Sequence, residues 1–170
     1  MVVQHADPQT RPSSVAQFHR PALDDGQYLW RIAKDSQTLD LNSSYTYLLW
    51  CRDFADTTIM ATIDGEPVGF ISAYFRPEDP ETLLVWQVAV DADYRGRRLA
   101  ASMLDALAER VDGARWLETT ITADNVASNR LFRSFAQERG ASLERDPLFE
   151  GEHFPDDHDT EFLIRIGPLN

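Results

Sequence analysis

One cysteine, Cys51, occurs in 170 residues. That excludes an intrachain disulfide and favours a reducing compartment. No apolar run has the length of a membrane span. The N-terminus lacks the apolar core of a secretory signal. Together these absences lead us to expect a cytoplasmic protein with no membrane partner. Basic residues are also scarce, 16 Lys and Arg against 28 Asp and Glu, for a net charge of -12. Such a chain repels nucleic-acid phosphates, so no nucleic-acid partner is expected. The same acidity suits a cationic substrate. No internal repeat or interdomain linker is visible. What remains is 43% hydrophobic and 26% charged, enough for one domain with a full core.

The chain divides into a polar tail over residues 1–16, which reads as disordered, and a single domain over 17–170. A short strand is expected at Phe18–Pro21. Asp24 and Asp25 then open a helix that buries Tyr28, Leu29, Ile32 and Ala33 and stops near Gln37. A loop, Leu39–Ser44, leads into a second helix, Tyr45–Ala55. Cys51 lies in that helix with no base nearby and reads as packing rather than a nucleophile. Thr57–Ile63 and Pro67–Phe75 alternate as strands around Asp64-Gly65, a type I′ hairpin signal. Arg76–Pro80 reads as a loop.

Leu83–Val90 is a near-continuous apolar run, as expected of a strand buried on both faces. Asp91–Tyr94 turns, and Arg95-Gly96-Arg97 opens a helix carrying Leu99, Met103, Leu104 and Leu107 at helical spacing. Gly113 ends it. Trp116–Thr122 reads as a strand and Val126–Arg139 as a helix capped by Asn125. Two further strands are expected at Ala141–Glu144, extending toward Phe149, and at Thr160–Ile166.

The strand–turn–helix unit at Leu83–Leu107 carries the first functional signal. Free N–H groups at the helix start, with the helix dipole behind them, attract anions, and Arg95, Arg97 and Arg98 surround them. The expected ligand group is a phosphate. Arg95-Gly96-Arg97-Arg98-Leu99-Ala100 resembles the acetyl-CoA signature of the GNAT superfamily of N-acetyltransferases. Arg98 occupies a position where that signature has glycine. Asn125-Val-Ala-Ser-Asn-Arg-Leu-Phe132 resembles the second motif of the superfamily. Ser128 replaces an alanine there, and Phe132 replaces a tyrosine that in many relatives protonates the departing thiolate. A phenylalanine has no proton to give.

The resemblance implies an α/β fold, a mixed and mostly antiparallel sheet with helices on both faces. It also implies acetyl-CoA as cosubstrate, without a metal. Contacts to it are expected from Val88, Ala89 and Val90, from Arg95 to Ala100, and from Asn125 and Phe132.

From about Phe18 to Ile166 the chain is similar to one GNAT family, the L-2,4-diaminobutyrate acetyltransferases of ectoine biosynthesis. The stretches that carry this are Leu39-Asp-Leu-Asn-Ser-Ser-Tyr45, Trp86-Gln-Val-Ala-Val90 and His158-Asp-Thr-Glu161-Phe-Leu. The resemblance implies acetyl transfer to the 4-amino group of diaminobutyrate. Asp40, Tyr45, Trp86, His158 and Glu161 become the expected substrate contacts.

The chemistry agrees with those residue types. Asp40 and Glu161 suit a dication, and the Trp86 ring can bound its pocket. Each also has a plainer reading: Asp40 as a turn residue, Tyr45 and Trp86 as packing, His158 and Glu161 as a solvated loop entering a strand. Glu161 is the leading candidate for the base, with His158 and Tyr45 as alternatives. A backbone N–H near Val88 is expected to stabilise the oxyanion.

A homodimer is expected, the usual state in families of this kind. Three rivals stand beside this reading. One is a GNAT enzyme for another small amine, such as a polyamine or aminoglycoside. The second is a metal-binding module at His153, Asp156, Asp157, His158 and Asp159, which has no recognised ligand spacing. The third is a non-catalytic acyl-CoA sensor, suggested by Phe132.

Overall fold

The structure is a computed structural model and describes residues 15–169. The tail expected over 1–16 therefore lies outside the described residues, apart from its last two. Seven strands form one sheet: β1 (Gln17–His19), β2 (Ile59–Ile63), β3 (Glu66–Arg76), β4 (Asp79–Val90), β5 (Trp116–Thr122), β6 (Ser142–Phe149) and β7 (Glu161–Gly167), in the order β1-β2-β3-β4-β5-β7-β6. The helices are α1 (Gly26–Ser36), α2 (Ser44–Asp53), α3 (Leu99–Arg110) and α4 (Val126–Glu138).

Side chains alternate along the strands and sort the core into two layers. Ile71, Val68, Ile59 and Ala61 face α3 and α4, where Met103, Leu104, Leu107, Phe132 and Phe135 complete the larger cluster. Phe70, Met60 and Ala89 face α1 and α2, meeting Leu29, Ile32, Tyr47 and Cys51. Helices thus cover both faces. Burying each large aliphatic side chain of this kind contributes about 1.5–3 kcal/mol against leaving it in water.

Most strand pairs are antiparallel, and short turns join β2 to β3 and β3 to β4. The β2–β3 turn has Asp64 at φ 53° and Gly65 at φ 82°, the two left-handed residues a type I′ turn needs. The pair β4–β5 is parallel, and α3 supplies the crossover. That pairing is short: Thr82–Trp116, Leu83–Leu117 and Leu84–Glu118 face each other and nothing beyond does. β4 runs on to Val90 and β5 to Thr122, so the two strands part and leave a wedge in the sheet.

Two boundaries differ from the sequence reading, and the expected extension of β6 is present. The expected loop at Arg76–Pro80 is a tight connection, with β3 reaching Arg76 and β4 starting at Asp79. β6 extends to Phe149, with all eight residues exposed at the sheet edge. The third helix starts at Leu99, not Arg95. A 3-10 turn covers Ala92–Tyr94, and Arg98 takes a left-handed conformation at φ 58° that no helix can include.

Candidate active site

The wedge takes its chemistry from the backbone of β4. The Asp91 N–H donates to the Val68 carbonyl at 2.8 Å. Peptide groups alternate direction along a strand, so those of Val88 and Val90 point away from β3 and into the wedge. The Val90 carbonyl there accepts from Arg95 Nε at 3.2 Å. The Val88 N–H has no facing strand, because β5 has already turned away. Between them Ala89 is buried against α1 and α2.

The turn before α3 closes the wedge at its mouth. Gly96 lies at φ 76°, and an added Cβ there would meet nothing within 4 Å, so its backbone faces open space. The N–H groups of Gly96, Arg97 and Arg98 make no backbone bond among the described residues. The α3 N-terminus has no side-chain cap. A run of free N–H groups at a helix start fits a phosphate or pyrophosphate.

The arginines divide their roles. Arg95 also donates to the Ser36 carbonyl at 3.3 Å, tying the turn to α1. Arg98 pairs with Glu138 at 3.0 Å. Arg97 lies over the Tyr94 ring, 5.2 Å from its centroid, and makes no ion pair or hydrogen bond among the described residues. Leu99 is buried in the core and Ala100 half-buried behind it, so each can offer a ligand only its N–H.

Across the wedge, Glu161 opens β7 and stands opposite Thr122 of β5. His158 Nε2 lies 3.8 Å from its carboxylate. His158 Nδ1 is 2.7 Å from the Asp159 carbonyl, an acceptor, so Nδ1 carries the proton and the neutral ring turns its basic Nε2 toward Glu161. Phe154 stacks on the same ring at 4.1 Å and fixes its plane. That carbonyl bond is the main reason the His158 pKa lies above the ordinary value, with the charges of Glu161, Asp40 and Asp156 adding to it.

Burial pushes the Glu161 carboxyl upward in pKa. The Asp40 and Asp124 charges add to this, while the Thr120 hydroxyl and His158 oppose it. Its Oε2 is buried and accepts no hydrogen bond. Asp124 in turn accepts from the Thr122 hydroxyl at 2.7 Å.

Asp40 reaches the wedge through a loop bonded to β4, its carbonyl accepting from Gln87 Nε2 at 3.3 Å. Trp86 is part-exposed and packs against Trp50 of α2 at 4.6 Å. The Gln87 bond holds the Asp40 loop on β4 next to Trp86 in sequence, and the Asp40 charge acts on both His158 and Glu161.

The other expected residues make no hydrogen bond to these four among the described residues. Tyr45 is 65% exposed and makes no hydrogen bond to the His158–Glu161 pair. Phe132 is 2% exposed within the larger core cluster and offers almost no side-chain surface to a cofactor. Asn125 caps α4, accepting from the Ser128 N–H at 3.1 Å. Cys51 is buried, with its thiol pushed up to about 11 by burial and then by Asp25, which keeps it neutral. Among the described residues no group of three or more His, Cys, Asp or Glu comes together to hold a metal ion. No helix among them is long and apolar enough to cross a membrane.

Sequence reasoning passed over Gln87, Thr120 and Asp124. Only Gln87 carried a local signal, a lone amide within an apolar strand.

A splayed parallel pair with free N–H groups at the following helix is the geometry of an acyl-CoA site, and comparison with known proteins agrees. The model of the acetyltransferase (GNAT) family matches residues 23–136. The L-2,4-diaminobutyric acid acetyltransferase of Streptomyces avermitilis is 61% identical over 100% of this chain and 99% of its own length. The chain belongs to the diaminobutyrate acetyltransferase family of GNAT proteins. The family member of Marinococcus halophilus is 44% identical over 89% of this chain and 90% of its own.

Among solved structures, the diaminobutyrate acetyltransferase EctA from Paenibacillus lautus superposes with a TM-score of 0.89. It is 40% identical and covers 92% of this chain and 96% of that one. That structure is a complex with its substrate L-2,4-diaminobutyric acid and coenzyme A. The GNAT assignment accounts for the sheet order and for the left-handed turn before α3. It also explains why a non-glycine at Arg98 stands out.

Proposed function

We propose that this protein transfers an acetyl group from acetyl-CoA to the 4-amino group of L-2,4-diaminobutyrate. The observation that carries the reading is the buried, unpartnered Oε2 of Glu161, on a carboxylate whose other oxygen lies 3.8 Å from His158 Nε2 and which feels the Asp40 charge. A buried carboxylate oxygen without a donor lacks a partner that a substrate ammonium would supply.

The acyl donor supplies a thioester, and the chain must supply a neutral amine. An alkyl ammonium of pKa near 10.4 is neutral in about one molecule in 10³ at pH 7. Without a base that adds about 4–5 kcal/mol to the barrier. Glu161, its pKa raised by burial, is a better match to the proton than an ordinary carboxylate. His158 Nε2 stands behind it and can pass the proton toward solvent. The nitrogen lone pair then forms the amide bond while the carbon–sulfur bond breaks. The Val88 N–H, pointing into the wedge, is suited to the charge that grows on the carbonyl oxygen. Phe132 cannot protonate the leaving thiolate, which departs unassisted or takes its proton from water or another group.

Asp40 anchors the other ammonium, and Trp86 bounds the pocket. The N–H groups of residues 96–99 receive the pyrophosphate, with Arg97 the arginine left free to join them. The product is then the precursor that a separate enzyme cyclises to ectoine, and the protein works in the cytoplasm under osmotic stress. A homodimer is the proposed assembly. In support, the edge strand β6 leaves Leu143, Leu148 and Phe149 exposed, an apolar strip that a second copy would cover.

Incubation with acetyl-CoA and diaminobutyrate, with the product read by mass spectrometry and NMR, tests the activity. Acetylation at N4 is expected, with little turnover of diaminobutane, which lacks the carboxylate. Equal turnover of both amines would instead make the protein a general diamine acetyltransferase. Sedimentation of the purified protein tests the dimer.

A further inference from the structure

Gln87 is 4% exposed, and the two ends of its amide have different fates. Nε2 donates to the Asp40 carbonyl. Oε1 is buried and accepts nothing. The Asp40 carbonyl also fixes which end is which: turned over, the amide would set oxygen against oxygen. Native proteins leave few buried acceptors without a donor. This one lies three residues beyond Leu84, the last residue of β4 that pairs with β5, and so on the open stretch of the wedge. Its neighbour in the chain is Trp86, and its bonded partner is the residue whose charge acts on both Glu161 and His158.

We propose that Gln87 Oε1 reads the non-reacting ammonium of the substrate, together with the Asp40 carboxylate. This rests on the function proposed above. An amide oxygen can only accept, so the substrate carboxylate is excluded as its partner. The reacting amine gives its proton to Glu161 and its lone pair to the carbonyl carbon. The 2-ammonium keeps three N–H donors throughout, enough for a carboxylate and an amide oxygen at once. A neutral acceptor on a charged donor forms a strong bond. A site built to bond a polar group discriminates sharply against an analogue that lacks it. Gln87 is thus a specificity residue for α-amino acids over plain ω-amines.

The test compares calorimetric binding of diaminobutyrate and 4-aminobutyrate to the CoA-loaded enzyme, in wild type and in Gln87→Met. The second ligand lacks only the 2-amino group. The wild type is expected to prefer diaminobutyrate, and Gln87→Met to weaken diaminobutyrate by about 10- to 100-fold while leaving 4-aminobutyrate and acetyl-CoA unchanged. Equal weakening of both ligands would mean a general disturbance of the site and overturn the proposal. A prop for the Asp40 loop would also weaken diaminobutyrate alone, so Asp40→Asn is added to Gln87→Met: further weakening of diaminobutyrate is expected, and none would make Gln87 only a prop and overturn the proposal. Unchanged binding of both would overturn it as well. Wild-type turnover of diaminobutyrate, measured alongside, separates this failure from failure of the proposed activity. Should the variant not fold, the wild-type side-chain amide resonances of Gln87 decide. They are expected to shift on adding diaminobutyrate and not on adding 4-aminobutyrate, and resonances that stay in place with both overturn the assignment.

Discussion

Two glutamates on one face of the β5–β7 pair show what separates scaffold from site. Glu118 stands opposite Arg165, and Glu161 opposite Thr122, at the two ends of the same ladder. Glu118 is almost fully buried and fully engaged. Arg165 bonds to it, Arg76 lies at 3.4 Å, and Arg165 extends to Asp79 at 3.6 Å and over the Trp116 ring at 4.5 Å. These ties span β3, β4, β5 and β7 where the wedge is still closed. Glu161, at the open end, has an oxygen that nothing reaches. Glu118 is buried with its cations inside the fold, whereas Glu161 is half-buried and keeps one oxygen without a donor among the described residues.

Changing Glu161 to Gln attacks the open end and carries the largest expected effect. The change keeps the shape and removes the base, so kcat is expected to fall about 10²–10⁴-fold with acetyl-CoA affinity nearly intact. In the wild type, activity is lost as pH falls through a Glu161 pKa that burial has raised above the ordinary carboxylate value. The variant loses that limb, and its deficit shrinks as pH rises toward the amine's own pKa. Stability gives an independent reading of the same group. A carboxyl whose pKa is raised on folding contributes stability below its unfolded pKa, lost as pH rises through the folded value. Melting curves of wild type and variant are therefore expected to differ in slope across that window. Wild-type kinetics in the variant at neutral pH would remove Glu161 from the site.

Changing Glu118 to Gln attacks the closed end, and here stability rather than rate is expected to respond. Arg76 loses its counter-charge and Arg165 is left with Asp79 alone. Removing one partner of a buried pair costs about 3–5 kcal/mol, and the low end applies because Arg76 and Arg165 keep some contact with water. Denaturant unfolding measures the loss. At temperatures where the variant stays folded, kcat is expected to hold. A large loss of kcat with stability intact would place Glu118 in the chemistry and erase the contrast between the two ends.

Changing Phe132 to Tyr asks whether the thiolate side of the wedge can be given the proton donor that its motif position usually carries. Phe132 lies within the larger core cluster, and a buried hydroxyl without a partner there costs about 1–3 kcal/mol. A lowered melting temperature with unchanged kcat is the expected result. Raised kcat without destabilisation would show that the new hydroxyl reaches the wedge.

The closed end was more legible in the sequence than the open one. The apolar run of β4, the helical spacing of α3 and the Asp64-Gly65 turn are local patterns set by neighbouring residues, and each element formed over them, although β4 begins earlier, at Asp79, and α3 later, at Leu99. β6 was only half legible, because Ser142–Phe149 is an edge strand of exposed residues, polar and apolar mixed, with no buried face to impose alternation. The proximity of His158 to Glu161 follows from three residues of spacing, but their place opposite Thr122 depends on a strand register between distant segments. Gln87 was visible as one amide in an apolar run. Its orphaned oxygen was not, since that depends on where the Asp40 loop docks. Resemblance named Asp40, Trp86, His158 and Glu161, and physics alone would have left them as loop and packing residues.

Changing Arg98 to Gly is expected to have the smallest effect, and it sharpens the contrast at the mouth of the wedge. Arg98 holds φ 58°, where a side chain costs about 1–2 kcal/mol. Glycine relieves that cost but brings about 0.5–1 kcal/mol of extra chain entropy to lose on folding. It also gives up the exposed pair with Glu138, worth at most about 1 kcal/mol. These terms nearly cancel, so the melting temperature is expected to move by only a few degrees. Acetyl-CoA affinity responds separately. The turn then carries glycine where the superfamily signature does, and the backbone meets the pyrophosphate with no Cβ beside it. Tighter binding by calorimetry at unchanged stability is the expected outcome. Weaker binding would mean that the Arg98 charge, although paired with Glu138, contributes more to holding the phosphates than its side chain costs in crowding the turn.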